Sequence, residues 1–166
     1  MIMRQMYVSG LAIDMGTNSP VVVLAETQDE GKRVLPIWIG HAEAAAIAMK
    51  LADLSIKRPL THDLMKLIID GFDGKVIKVV INDLRDQTFY AQIYVERENS
   101  LLTIDARPSD SIALALRCDA PIYVANHVLE ADRKKTGLSE EDRAQSLRER
   151  LKKINPEDFG KFSFNE

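Results

Sequence analysis

The segment Leu101–Cys118, L-L-T-I-D-A-R-P-S-D-S-I-A-L-A-L-R-C, constrains the fold more than any other part of the chain. Leu101 to Ala106 reads as a strand. Arg107-Pro108 then breaks it, because a proline keeps the residue before it extended. Ser109 to Cys118 follows as a helix that is apolar almost all round, and such a helix has to be covered on every side. Asp105, Arg107, Ser109 and Asp110 gather where this strand ends, a position at which functional sites are often built.

The rest of the chain supplies the cover. Tyr7–Asp14 and Pro20–Glu26 read as two strands joined by the turn cluster Met15–Ser19. Gln28–Lys32 is the next turn, and Val34–Ile39 is a third strand ending at Gly40. Ala42–Leu54 is an alanine-rich helix with Glu43, Lys50 and Asp53 on its polar side. After the break at Arg58-Pro59, Thr61 is placed to cap a helix to Gly71, with Leu64, Leu67 and Ile68 as its buried stripe. Lys75–Leu84 and Thr88–Arg97 alternate and are β-branched and aromatic, which predicts a hairpin turning at Asp86-Gln87. Pro121–Ala125 is a short buried strand.

The two strand-to-helix passages echo each other. Ile37-Trp38-Ile39 leads to Glu43 as Thr103-Ile104-Asp105 leads to Asp110. The expected fold is therefore α+β, a mixed and largely antiparallel sheet with helices packed on it, suggesting an internal strand-meander-plus-helix duplication. We divide the chain into a body, 1–126, and a charged helical tail, 127–166, in which Ala144, Leu147, Leu151 and Ile154 form one narrow apolar stripe able to dock on the body or on a second subunit.

With 166 residues, 46% hydrophobic and 28% charged, the chain is long enough for one well-buried core. A net charge of −3 excludes an extended basic surface of the kind that holds nucleic acid by counterion release, so any phosphate site must be local. A protein touching two or three phosphates should show a salt slope of about −2 to −3. Cys118 is the single cysteine, which excludes an internal disulfide and a cysteine-rich zinc site and suits a reducing compartment. No segment has the length of an apolar membrane span or a signal peptide, so we expect a cytoplasmic protein without membrane attachment.

Phosphate-binding glycine loops, zinc-protease helices and nucleophile elbows are absent from the sequence. Three polar clusters remain, Trp38–Glu43, Arg58–Asp63 and Asp105–Asp110. Asp105 and Arg107 are two apart, so on an extended chain they face the same way and can pair or grip a phosphate. Ser109 is placed to cap its helix, and the helix dipole favours Asp110 in the first turn. His62 begins a helix beside Asp63, where an imidazole can act as acid or base. His41 and His127 read as incidental, and Trp38 as a core or interface residue rather than a base-stacking platform.

Leu35-Pro36-Ile37-Trp38-Ile39-Gly40, Arg58-Pro59-Leu60-Thr61-His62-Asp63-Leu64, Thr88-Phe89-Tyr90-Ala91 and Asp105-Ala106-Arg107-Pro108-Ser109-Asp110-Ser111 together resemble the bifunctional nuclease family, over about Met6–Asn126. The resemblance implies hydrolysis of both DNA and RNA with low sequence specificity. Under that activity the residues suggest a centre in which Asp105, Asp110 and Glu43 hold Mg²⁺ or Mn²⁺, and Arg107 stabilises the phosphorane charge. His62 and Asp63 would move the proton, and Arg58, Arg107 and Ser109 would bind the substrate. The competing reading is a non-catalytic binding or regulatory module, a homo-oligomer joined through helix 42–54 or the tail, with a small anion bound near Ser109.

Overall fold

The computed structural model describes residues 1–28 and 33–162; the turn expected over Gln28–Lys32 lies, for 29–32, outside the described residues. β1 (Met3–Asp14), β2 (Ser19–Glu26) and β3 (Val34–Trp38) form an antiparallel meander that leads into α1 (His41–Leu51). After α2 (Thr61–Gly71), a second antiparallel meander of β4 (Gly74–Arg85), β5 (Thr88–Arg97) and β6 (Ser100–Ala106) leads into α3 (Pro108–Cys118). β7 (Ile122–Ala125) joins the two meanders, antiparallel to β1 and parallel to β4. The chain continues through α4 (Asn126–Thr136), α5 (Glu140–Arg150), β8 (Leu151–Ile154) and α6 (Pro156–Phe162). The sheet runs β3-β2-β1-β7-β4-β5-β6, with β8 paired to β1 beside β7. This is the mixed, largely antiparallel α+β architecture expected, the first meander being followed by α1 and α2 and the second by α3.

Strand alternation separates the faces. Val22, Leu24, Leu35 and Ile37 point to one side and join α1 and α3 in a common core through Ile47, Ile112, Leu114 and the small residues Ala46, Ala48, Ala113 and Ala115. Val23, Val34 and Pro36 point to the other side, where they line a groove with Ala144, Leu147 and Leu151 of the tail. Val128 and Leu129 of α4 belong to the main core, so that core extends past Asn126. Asp132 of α4 pairs with Arg143 of α5.

Several sequence expectations are corrected. Ala44, Ala46 and Ala48 of α1 are buried within the chain, where α3 and α6 pack on that helix, while Ala42 stays exposed. The apolar stripe of the tail does not continue as a helix to Ile154; α5 ends at Arg150, and Leu151–Ile154 extend along β1, from Leu151 opposite Asp14 to Ile154 opposite Leu11. Leu64, Leu67 and Ile68 of α2 are exposed, not buried. The helix instead turns His62, Met65 and Ile69 inward, because polar anchors at His62 and Asp63 set its rotation. Thr61 is the first helical residue and not the cap; Asp63 Oδ2 accepts the Leu60 N–H at 3.0 Å. At the hairpin, Asp86 and Gln87 both take positive φ, 45° and 65°, as a two-residue turn matched to strand twist requires.

Candidate active site

The starts of α1 and α3 meet at one arginine. Arg107 holds an extended backbone, φ −71° and ψ 145°, as Pro108 demands, and Pro108 opens α3 at the position where a missing N–H costs nothing. This corrects the expectation for Ser109, which lies one residue inside the helix, is buried and makes no side-chain cap. The helix start is secured instead by Ser111 Oγ, which donates to the Arg107 carbonyl at 3.0 Å.

From that position Arg107 donates through Nε to Asp110 Oδ2 at 2.8 Å and through Nη2 to Glu43 Oε1 at 2.8 Å. Its side chain is nevertheless 66% exposed, and Nη1 carries no hydrogen bond among the described residues. Glu43 and Asp110 occupy matching third positions of α1 and α3, which is the echo read in the sequence. Gly40 makes the Glu43 position possible, since a Cβ there would lie 2.1 Å from Glu43 Oε2.

Asp110 has a second partner. His62 Nε2 lies 2.9 Å from Asp110 Oδ1, on a ring that is only 6% exposed. Burial pushes the Asp110 carboxyl up, but hydrogen bonds from Arg107 and His62 and their charges outweigh it and hold the group below its usual range. An ionised carboxylate only accepts, so Nε2 carries the proton of this bond. The Arg107 guanidinium is correspondingly held above its usual range by Asp110 and Glu43.

Asp63 faces a different partner. Its Oδ1 accepts from Arg117 Nε at 2.6 Å, and Arg117 also donates to the carbonyls of Ala113 at 2.9 Å and Ala46 at 3.0 Å, tying α1, α2 and α3 together. Burial raises the Asp63 carboxyl, while the Leu60 N–H and Arg117 lower it by more. Both Asp63 oxygens are thus engaged in holding α2 in place, one by the Leu60 N–H and one by Arg117.

Asp105 does not pair with Arg107. It sits opposite Gln92 on the outer strand β6, exposed, with no side-chain hydrogen bond or ion pair among the described residues. The Arg107 side chain reaches instead to Glu43 and Asp110 at the starts of α1 and α3. Arg58 is likewise apart from the cluster, on an open groove of about 410 Å³ with Lys57, Lys66 and Arg117. Among the described residues there is no group of three or more His, Cys, Asp or Glu able to hold a metal. The expected set of Asp105, Asp110 and Glu43 does not fit Mg²⁺ or Mn²⁺ in this arrangement: Asp105 is elsewhere, and Arg107 already stands as the cation between the other two.

Beside Arg107 runs a second groove, about 380 Å³, lined by Trp38, Gly40, Thr88, Phe89, Arg107 and Ser109. Trp38 is 40% exposed, which corrects its reading as a core residue. Sequence reasoning also passed over Arg117, Asp14 and Arg150, which become significant through partners distant in the chain. Phe89 was legible within the motif Thr88-Phe89-Tyr90-Ala91, without a role in the site.

Two strand meanders that lead into helices whose starts share one arginine, beside a groove, define an α+β domain with a polar cluster between its helices. The chain belongs to the bifunctional nuclease domain family, whose signature matches residues 22–136. It is 39% identical to an uncharacterized protein of Mycobacterium tuberculosis over 95% of this chain and 98% of that one. Bifunctional nuclease 2 of Oryza sativa is 27% identical over 74% of this chain, and bifunctional nuclease 1 of Arabidopsis thaliana 25% over 68%. The chain spans only 38% and 35% of the length of those two plant proteins. None of the helices among the described residues is long and apolar enough to cross a membrane.

Proposed function

We propose that this chain hydrolyses phosphodiester bonds of nucleic acids at the Glu43–Arg107–Asp110–His62 cluster. The observation that carries the reading is the state of Arg107: two carboxylates fix its guanidinium by Nε and Nη2, and the side chain stays 66% exposed beside the groove. An arginine so oriented meets a phosphate oxygen in fixed geometry and neutralises the charge that grows in the transition state. Water attacks phosphorus, and the bond to the leaving sugar oxygen breaks. Asp110, the more exposed member of its pair with His62, takes the water proton, and the pair returns a proton to the leaving oxygen. Glu43 positions Arg107, and Asp63 positions α2 through Arg117. The names of the plant relatives support the choice of substrate class.

The test is cleavage of single-stranded and duplex DNA and RNA by the purified chain, with Mg²⁺, Mn²⁺ or EDTA. Arg107→Ala and Asp110→Asn should each lower the rate by about 100-fold. Asp105→Asn should leave it unchanged, and denaturant unfolding of each variant separates lost chemistry from lost folding. Equal loss on Asp105→Asn would overturn the assignment, and loss of stability with no turnover in any form would make the cluster a structural network.

A further inference from the structure

The groove beside Arg107 is aromatic as well as charged, and Trp38 is held in it by an elaborate set of bonds. Its Nε1 donates to Asp14 Oδ2 at 2.7 Å. Asp14 is fully buried and also accepts from the Gly16 N–H at 2.9 Å, from Arg150 Nε at 2.9 Å and from Arg150 Nη2 at 2.7 Å. The Arg150 guanidinium in turn lies over the indole, 5.6 Å from its centroid, and the Arg150 carbonyl accepts the Met15 N–H at 3.0 Å. A buried aspartate, a tail arginine and two loop amides thus fix a ring that remains 40% exposed at the groove.

We infer that this groove binds an unpaired nucleotide base against Trp38, so that the substrate is a single strand, and that Arg150 of the C-terminal segment is a positioning residue of that subsite. The inference rests on the nucleic-acid reading of the cluster and names the form of its substrate. The indole has one hydrogen-bond donor, and Asp14 already takes it. What Trp38 offers a base is therefore the face that Arg150 does not cover, a surface every base can stack on and one that discriminates little between them. In a duplex those faces are stacked on neighbouring pairs, so only a single strand presents one while Arg107 holds an adjoining phosphate. Phe89 of β5 is a second aromatic residue lining the groove.

Trp38 is the sole tryptophan, so its fluorescence reports on this subsite alone. The full chain is titrated in EDTA with oligothymidylate and with a blunt duplex of the same length, and cleavage is assayed in parallel. Oligothymidylate should quench Trp38 and the duplex should not. Trp38→Leu should weaken binding of labelled oligothymidylate, followed by anisotropy, by about tenfold. Arg150→Ala should red-shift the emission and raise KM with little change in kcat, whereas a merely structural role would lower stability without that split. Quenching by the duplex as strong as by the single strand overturns the inference, as does oligothymidylate that is bound or cleaved with the emission unchanged. Cleavage without quenching leaves the nuclease reading standing and this one fallen; quenching without cleavage under any condition does the reverse. No binding at all overturns both.

Discussion

A Cβ on Gly40 would meet Glu43 Oε2 at 2.1 Å, and that carboxylate is not free to move away without cost, because its other oxygen holds Arg107. Gly40→Ala should therefore act through Glu43. We expect it to slow cleavage by as much as Glu43→Gln, and the double variant to be no slower than either one, a non-additivity that marks two residues acting on one contact. Rates of the three variants on one oligonucleotide check this, and additive losses would show that Gly40 matters for a different reason. The residue scale is also where sequence reading was most uneven. Glu43, His62, Arg107 and Asp110 are brought together as their clusters suggested. Asp105 is not: the backbone stays extended through Arg107, but the guanidinium is drawn to Glu43 and Asp110 at the helix starts while Asp105 stays on the outer strand.

At the level of elements, the order of strands and helices was legible because periodicity and turn residues are local signals. The rotation of α2 was not, since it depends on partners 48 and 54 residues away, Asp110 for His62 and Arg117 for Asp63. An apolar helix stripe reads the same whether or not anything covers it. β8 escaped for a similar reason: Leu151 and Ile154 fit a helical repeat, and only the open edge of β1 makes them a strand. The exposed side of α2 gives a direct test. Leu67→Ala should cost less than about 0.5 kcal/mol, against about 2 to 5 kcal/mol for Leu114→Ala in the core of α3. Denaturant midpoints of the two variants measure the difference. A large cost at Leu67 that shrinks on dilution would mean that a second copy of the chain covers this face.

Over the whole molecule, the tail and the body are joined by charge as well as by strand pairing, with a buried carboxylate on the body and a half-exposed arginine on the tail. Asp14 is fully buried, and Arg150 from α5 is its cationic partner. The Arg150 hydrogen bonds hold the Asp14 carboxyl far below its ordinary range, against the opposing effect of burial. Asp63 and Asp110, which lock α2 to α3, are depressed as well. Each of these groups is more acidic in the folded chain than in the unfolded one. The stability they contribute is therefore complete above the unfolded carboxylate value of about 3.9 and is lost as pH falls below it toward the folded values. Urea midpoints should hold steady from pH 7 to about 5 and then decline steeply with acidification. Asp14→Asn removes one of the depressed groups and leaves Arg150 unpaired, so it should be less stable at pH 7 and show a shallower decline in acid. Parallel slopes for the two proteins would mean that Asp14 does not tie the tail to the sheet. The same variant also loosens Trp38, whose emission should then shift at neutral pH before any global unfolding, because the ring and the tail share that one carboxylate.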